Sequence, residues 1–247
     1  MKTILVQGAM DSEIEQLIKM LSEYNSEYSE VKQATHNGYL FYETKLGDAR
    51  IIISKTEMGI MNASVSTMLA AEKYHPSIII NQGTAGAHLR SLNVGDIIIG
   101  EEAVYINNMR SPAKKKGEGS NALEWLPGMS LSFLIKATPF LVEKAASIEF
   151  DGNVLCGRLG SGDVYSKEVD RIDLLHSQLG EICEDMESVA VYKCCQTLEI
   201  PFIGIRVISN NEITGNDDVE KQFEITQTRL QSFIFKFLKQ LVDTDIG

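Results

Sequence analysis

The stretch that most restricts the fold of this chain is Ile78-Ile79-Ile80, which runs directly into Asn81-Gln82-Gly83-Thr84-Ala85-Gly86-Ala87. Three successive β-branched apolar residues, with no polar alternation, describe a strand buried on both faces, the pattern found in the middle of a largely parallel sheet. Parallel strands need crossover segments to return the chain, and helices usually supply them. The tail of the stretch then falls at the strand's carboxyl end. Its two glycines among small residues let a ligand come close to the backbone there.

The flanking sequence supplies both strands and crossovers. Residues 2–7 read as a buried strand, followed by Gly8-Ala9-Met10 and a helix from about Asp11 whose inner face carries Ile14, Leu17, Ile18 and Leu21. Glu13 lies in the first turn of that helix, as a dipole partner or as a general base. Strands near 28–34, 39–45 and 50–55 form a meander turned at Asn37-Gly38 and Gly47-Asp48. A helix over Ile60–Tyr74 follows Glu57-Met58-Gly59, and Pro76 ends it. Val94-Gly95-Asp96 opens a strand to about Val104, and the polar stretch 107–130 is a lid, a subunit contact or a mobile insertion.

Thr138-Pro139 starts a helix to about Ser147. The strand Val154–Leu159 leads to Ser161-Gly162-Asp163-Val164-Tyr165, and a helix from Lys167 to Gln178 stops at Gly180. Glu181–Asp185 is a short strand giving way to a helix near Glu187, and Phe202–Ser209 delivers Asn210-Asn211-Glu212 to a strand end. An amphipathic helix over about 220–242 closes the chain. The expectation is an α/β fold, one domain over 1–247, in three α/β/α layers around a mixed, twisted sheet, with the ligand site along one edge.

Charge and cysteines narrow the partners. A net charge of −11 over 247 residues argues against binding nucleic acid or an anionic membrane, which leaves a small molecule or another protein. No apolar run reaches the ~18 residues of a membrane span, and Met1-Lys2 leads into a strand instead of a signal segment. Cys156, Cys183, Cys194 and Cys195 form neither a CxxC pair nor a disulfide framework, so a cytoplasmic location is expected. His36, His75, His88 and His176 make no metal-spaced pair, and no metal or cofactor is called for.

Glu184-Asp185-Met186-Glu187-Ser188 places three carboxylates at a strand-to-helix junction, which reads equally as an ordinary helix cap or as a ligand site. Its company decides between them. Gly8-Ala9-Met10-Asp11-Ser12-Glu13, Asn81–Gly86, Val94-Gly95-Asp96, Ser161-Gly162-Asp163, Asp185-Met186-Glu187-Ser188 and Arg206-Val207-Ile208-Ser209 occur in one order over nearly the whole chain. Together they resemble the nucleoside phosphorylase superfamily, and within it the 5′-methylthioadenosine/S-adenosylhomocysteine nucleosidases.

The resemblance implies hydrolysis of a purine N-glycosidic bond through an oxocarbenium-like ribose cation. That chemistry asks for a base on water, an anionic acceptor at the ribose hydroxyls and a donor to the departing purine. By resemblance Glu13 is the base, and Glu187 takes the ribose hydroxyls with Asp185 and Met186 beside the sugar. Arg206 holds the water and the carboxylates in place. Ala9, Thr84, Ala85 and Gly86 complete the substrate contacts, Thr84 standing where the family usually has serine. Tyr165 stacks on the purine, Ser166 meets it through its backbone, and Met58 and Phe223 line the pocket of a 5′ alkylthio group. The resemblance also implies a homodimer, with the 107–130 loop reaching the neighbour's pocket.

Asn210 departs from the pattern. The nucleosidases carry aspartate there, which protonates N7 of adenine, whereas an amide can give a hydrogen bond but no proton. Either Glu212 or Asp217 substitutes, or the base leaves in another way. Relatives acting on 6-oxopurines also carry asparagine at this position. The phosphorylases hold phosphate with arginines before the glycine stretch and after the first strand, and neither place has one here. Water is therefore the expected nucleophile. The alternatives are a 6-oxopurine-directed nucleosidase, a purine nucleoside phosphorylase, or a non-catalytic nucleoside-binding or storage relative.

Overall fold

A computed structural model describes residues 1–24, 30–128, 134–215 and 219–243, excepting the side chains of 219–223. The elements run β1 (Thr3–Gly8), α1 (Asp11–Tyr24), β2 (Lys32–His36), β3 (Tyr39–Leu46), β4 (Ala49–Lys55), α2 (Ile60–Tyr74), β5 (Ile78–Ala87) and β6 (Ile97–Tyr105). They continue through β7 (Met109–Arg110), β8 (Leu126–Pro127), β9 (Leu134–Lys136), α3 (Pro139–Ala146), β10 (Val154–Ser161), α4 (Val169–Leu179), β11 (Cys183–Asp185), α5 (Ser188–Leu198), β12 (Phe202–Asn210) and α6 (Val219–Val242).

The main sheet has the order β11-β10-β6-β12-β5-β1-β4-β3-β2, with β9 added to β6. It is mixed. β1 lies parallel to β4 and β5, and β5 parallel to β12, while β12–β6, β6–β9 and the β2–β3–β4 meander are antiparallel.

The isoleucine runs place the layers. Ile4, Val6, Ile51, Ile53, Ile78, Ile80, Ile203 and Ile205 pack on one face against Leu17, Leu21, Phe233 and Phe237 of α1 and α6. Leu5, Ile52, Ile79 and Ile98 pack on the other against Ala63, Ala70, Val191 and Tyr192 of α2 and α5. Burying one such side chain contributes ~1.5–3 kcal/mol, whereas strand propensities span only ~1 kcal/mol. Two-sided burial, more than propensity, therefore fixes these strands in the centre. The three α/β/α layers read from the sequence are those of the structure.

Several expected boundaries move: the first meander strand, expected near 28–34, is Lys32–His36, with 28 and 29 outside the described residues, the strand expected from Val94 starts at Ile97, and one further shift matters for the site. The glycine stretch after Ile80 is not a loop, since β5 continues as strand to Ala87. Its last residues turn toward β11 and pair antiparallel with it, Gly86 opposite Glu184 and Ala87 opposite Cys183. Because β11 also pairs with β10, the strands β5, β12, β6, β10 and β11 close on themselves. That closure carries the Thr84–Gly86 segment alongside Glu184 and Asp185. Within the expected irregular stretch 107–130, β7 pairs with β8 and a short 3-10 turn covers Ala122–Glu124.

Candidate active site

The carboxyl ends of β1, β5, β11 and β12 converge on one cavity of about 480 Å3, part of it open to solvent. Ala9, Met10, Glu13, Met58, Thr84, Ala85, Gly86, Val164, Tyr165, Glu184, Asp185, Met186, Glu187 and Ser209 line it. No arginine or lysine is among these described residues.

Glu13 enters from the first turn of α1. Its Oε2 accepts the Ala9 and Met10 backbone N–H groups at 2.6 and 3.3 Å, and its Oε1 accepts the Thr84 N–H at 3.0 Å and the Thr84 hydroxyl at 3.4 Å. Burial pushes its pKa up, against the pull of the Thr84 N–H and the Arg206 charge. Gly83 makes room for it, because a Cβ there would lie 2.9 Å from Glu13 Oε1.

Glu187 is the N-cap of α5 and is buried. Its Oε1 accepts the Gly59 N–H at 3.0 Å. Gly59 has φ 99°, and a Cβ there would meet Asp163 Oδ1 at 2.8 Å, so only glycine fits this approach without strain. Asp163 in turn accepts the Ile60 N–H at 2.8 Å and so caps α2. Burial, with Asp185 and Glu13 nearby, pushes the Glu187 pKa up to about 7, against Arg206 and the Gly59 N–H.

Asp185 and Arg206 hold the floor. Arg206 is fully buried and its Nε donates to Asp185 Oδ2 at 2.9 Å, while Nη1 donates to the Asn81 and Ile205 carbonyls at 3.1 Å each. Nη2 donates to Asn81 Oδ1. Asp185 also accepts from the Ser161 hydroxyl at 2.6 Å, from the Glu187 and Ser188 N–H groups at 3.0 Å each, and from the Ser188 hydroxyl. The segment Ser161-Gly162-Asp163 therefore buttresses the site. Arg206 bonds directly to Asp185, and its charge reaches Glu13 and Glu187 without a hydrogen bond to either.

A family model described as the phosphorylase superfamily matches residues 3–243. The chain belongs to that superfamily. Among its relatives, the 5′-methylthioadenosine/S-adenosylhomocysteine nucleosidase of Bacillus thuringiensis subsp. konkukian is 31% identical over 96% of this chain and 99% of its own. Among solved structures, the nucleosidase of the same name from Neisseria meningitidis, in complex with methylthio-immucillin-A, is 25% identical with TM-score 0.75, covering 98% of this chain and 99% of that one. The futalosine hydrolase of Helicobacter pylori shares the fold, at 19% identity and TM-score 0.75 over 98% and 97% of the two chains.

In this superfamily member, most residues singled out from the sequence meet at the cavity. Ala9, Glu13, Met58, Thr84, Ala85, Gly86, Tyr165, Asp185, Met186 and Glu187 line it directly. Arg206 stands behind the wall, bonded to Asp185. Asn210 is buried beside Gly86 and outside the lining set, its Oδ1 accepting from Ser209 at 2.8 Å and its Nδ2 donating to Glu212 Oε1 at 3.1 Å. The Tyr165 hydroxyl donates to the same Glu212 oxygen at 3.3 Å. Ser166 also lies outside the lining, its N–H donating to Glu184 Oε1 at 2.8 Å. The Phe223 side chain and Asp217 lie outside the described residues.

Met10, Val164, Glu184 and Ser209 line the cavity without having been singled out as contacts. Each is a sequence neighbour of a residue that was, and a strand end crowded between two walls exposes more of its residues than strict alternation suggests. Among the described residues no helix is long and apolar enough to cross a membrane, and no cluster of His, Cys, Asp and Glu could hold a metal ion.

Proposed function

We propose that this chain is a purine nucleosidase acting as one domain in the cytoplasm, with water as nucleophile and no cofactor. The observation that carries this reading is the division of labour at Arg206. It fastens Asp185 and leaves the Glu13 and Glu187 carboxylates facing one cavity without an ion pair of their own. Glu13, its pKa raised by burial, takes a proton from water. The C1′–N9 bond breaks with its electron pair leaving on the purine, the water oxygen bonds to C1′, and the purine takes up one proton from solvent as Glu13 releases its own to solvent. Glu187 accepts from the ribose hydroxyls, which become more acidic as the sugar turns cationic. Asn210 and Glu212, bonded to each other, supply polar groups for the departing base, and Tyr165 supplies an aromatic face.

A phosphorylase must hold a dianion, and the walls near the nucleophile offer carboxylates where cations are needed. Methylthioadenosine and adenosylhomocysteine, the substrates in the relatives' names, head the test set, with Met58 at the 5′ end. Asn210 favours a second reading, a 6-oxopurine nucleoside. Incubation with methylthioadenosine, adenosylhomocysteine, adenosine and inosine in phosphate-free buffer, followed by chromatography, is expected to yield free base. No base from any of the four would sink the reading, and turnover only with added phosphate would make the protein a phosphorylase.

The proposal extends to a homodimer. Met61, Val65 and Met68 of α2 are 77%, 46% and 42% exposed, an apolar stripe suited to a second copy. Sedimentation showing only monomer at micromolar concentration would remove it.

A further inference from the structure

We infer that Glu184 reads the N1 edge of the purine and selects 6-oxopurine over 6-aminopurine nucleosides. The inference rests on the nucleosidase reading and names the base that reading leaves open.

Glu184 is a buried carboxylate on the cavity wall to which the proposed hydrolysis gives no role. It is also firmly held. Oε1 accepts the Ser166 N–H at 2.8 Å and Oε2 accepts the Ser166 hydroxyl at 2.7 Å, so one residue grips both oxygens. His88 stands behind, its Nε2 3.6 Å from Glu184 Oε2 and its Nδ1 2.8 Å from Glu181 Oε1. Tyr165, the neighbour of Ser166, places its ring on the same cavity wall.

The two purine classes present opposite patterns at this edge. A 6-aminopurine offers a lone pair at N1 beside an amino donor. A 6-oxopurine offers an N–H at N1 beside an oxygen acceptor. An ionised carboxylate only accepts hydrogen bonds, through about four lone-pair positions, and Ser166 occupies two. What remains of Glu184 suits an N1–H and repels an N1 lone pair. The groups on this wall that could have donated to an unprotonated N1 are the Ser166 N–H and hydroxyl, and both are turned to Glu184.

A protonated Glu184 could donate to N1 and reverse the preference. Burial pushes its pKa up, against His88 and the two Ser166 donors, so the oxo preference belongs to the ionised form and should fade as pH falls.

The test compares pairs that differ only at C6, inosine with adenosine and 5′-methylthioinosine with 5′-methylthioadenosine, by kcat/KM. The wild type is expected to favour the oxo member by about tenfold or more. In Glu184→Gln, whose amide can donate as well as accept, that ratio should collapse by about tenfold while the protein remains folded by circular dichroism. A wild type that favours the amino member of both pairs overturns the inference and leaves the nucleosidase reading standing. So does an unchanged ratio in the variant. Calorimetry with hypoxanthine and adenine separates the two ideas from the other side. Tighter hypoxanthine binding without hydrolysis of any nucleoside would retain the base assignment and reject the nucleosidase reading. Equal or tighter adenine binding would reject the assignment whether or not Glu184→Gln folds.

Discussion

The two ends of the cavity hold carboxylates in different ways. At the proposed sugar end Glu13, Asp185 and Glu187 lie around one fully buried guanidinium, which hydrogen-bonds to Asp185 and to neither of the other two carboxylates. At the base end Glu181 and Glu184 flank one imidazole, and Glu184 is gripped by neutral donors from Ser166. A buried guanidinium stays charged and orients the partner it touches. Carboxylates that feel it only at a distance remain adjustable, as the raised Glu13 and Glu187 show. The sugar end thus combines one carboxylate tied to a guanidinium with two groups poised to gain or lose a proton. At the base end Glu184, also raised by burial, is held by its two Ser166 bonds and one imidazole instead of a guanidinium. On the proposed reading, chemistry and recognition are divided along the length of one pocket, and substitutions at one end should leave the other's readout alone.

The largest expected effect tests the sugar end. Glu13→Gln keeps the shape but loses the proton acceptor, and kcat should fall by about 10²–10⁴-fold. Both wild-type oxygens accept backbone N–H groups, so the amide NH2 must face either Ala9 and Met10 or Thr84, and thermal stability should fall as well. The oxo-to-amino substrate ratio of any residual activity should stay at its wild-type value. Retention of kcat within about threefold would remove Glu13 from the chemistry and, with it, the contrast between the two ends.

Glu187 gives a smaller effect with a pH signature. Its pKa is raised from the ordinary 4.5 to about 7, so its contribution to stability is complete below pH 4.5 and declines as pH rises through 7. Ionising it in the folded protein then costs about 3 kcal/mol. Substrate hydroxyls need the ionised form. The wild type should therefore lose kcat/KM as pH falls through about 7. Glu187→Gln should lose that acidic limb along with much of its activity, by about 10–100-fold. Relative to wild type, its melting temperature should rise between pH 5 and pH 8. A wild-type pH profile flat from 5 to 9, or a variant less stable at pH 8 than at pH 5 relative to wild type, would show that Arg206 holds Glu187 ionised throughout.

Much of this arrangement was legible in the sequence, for identifiable reasons. The triple isoleucine strand, the α1 face and the first-turn position of Glu13 are local patterns, and burial dominates them. The cavity's direct contacts followed from motifs that each sit at a strand end. Legibility failed where two distant segments had to meet. Nothing within Asn81–Ala87 announces that the strand continues, because its antiparallel partner is β11, about a hundred residues on. His88, Glu181 and Glu184 are ordinary residues until that pairing brings them together. Ser166 was expected to meet a base through its backbone, yet its N–H is taken by Glu184, which only the closed ring of strands brings within reach.

Gly83 offers the finest test of whether the two ends are separable. It lies on β5 between Ile78–Ile80 and Gly86, the residue paired opposite Glu184. An alanine Cβ would sit 2.9 Å from Glu13 Oε1 and 3.3 Å from both Oε2 and Cδ. Glu13 cannot retreat without lengthening its bonds to Ala9, Met10 and Thr84, so the carboxylate must shift by a few tenths of an ångström at their expense. Overpacking of this kind costs about 1–3 kcal/mol in stability. A base moved off its best position should lose about tenfold in kcat. The oxo-to-amino ratio should not move, since Glu184 and Ser166 form no bond to Gly83 or Glu13. If Gly83→Ala shifts that ratio as much as it lowers kcat, then β5 transmits strain from one end of the pocket to the other, and catalysis and base selection share a single mechanical unit.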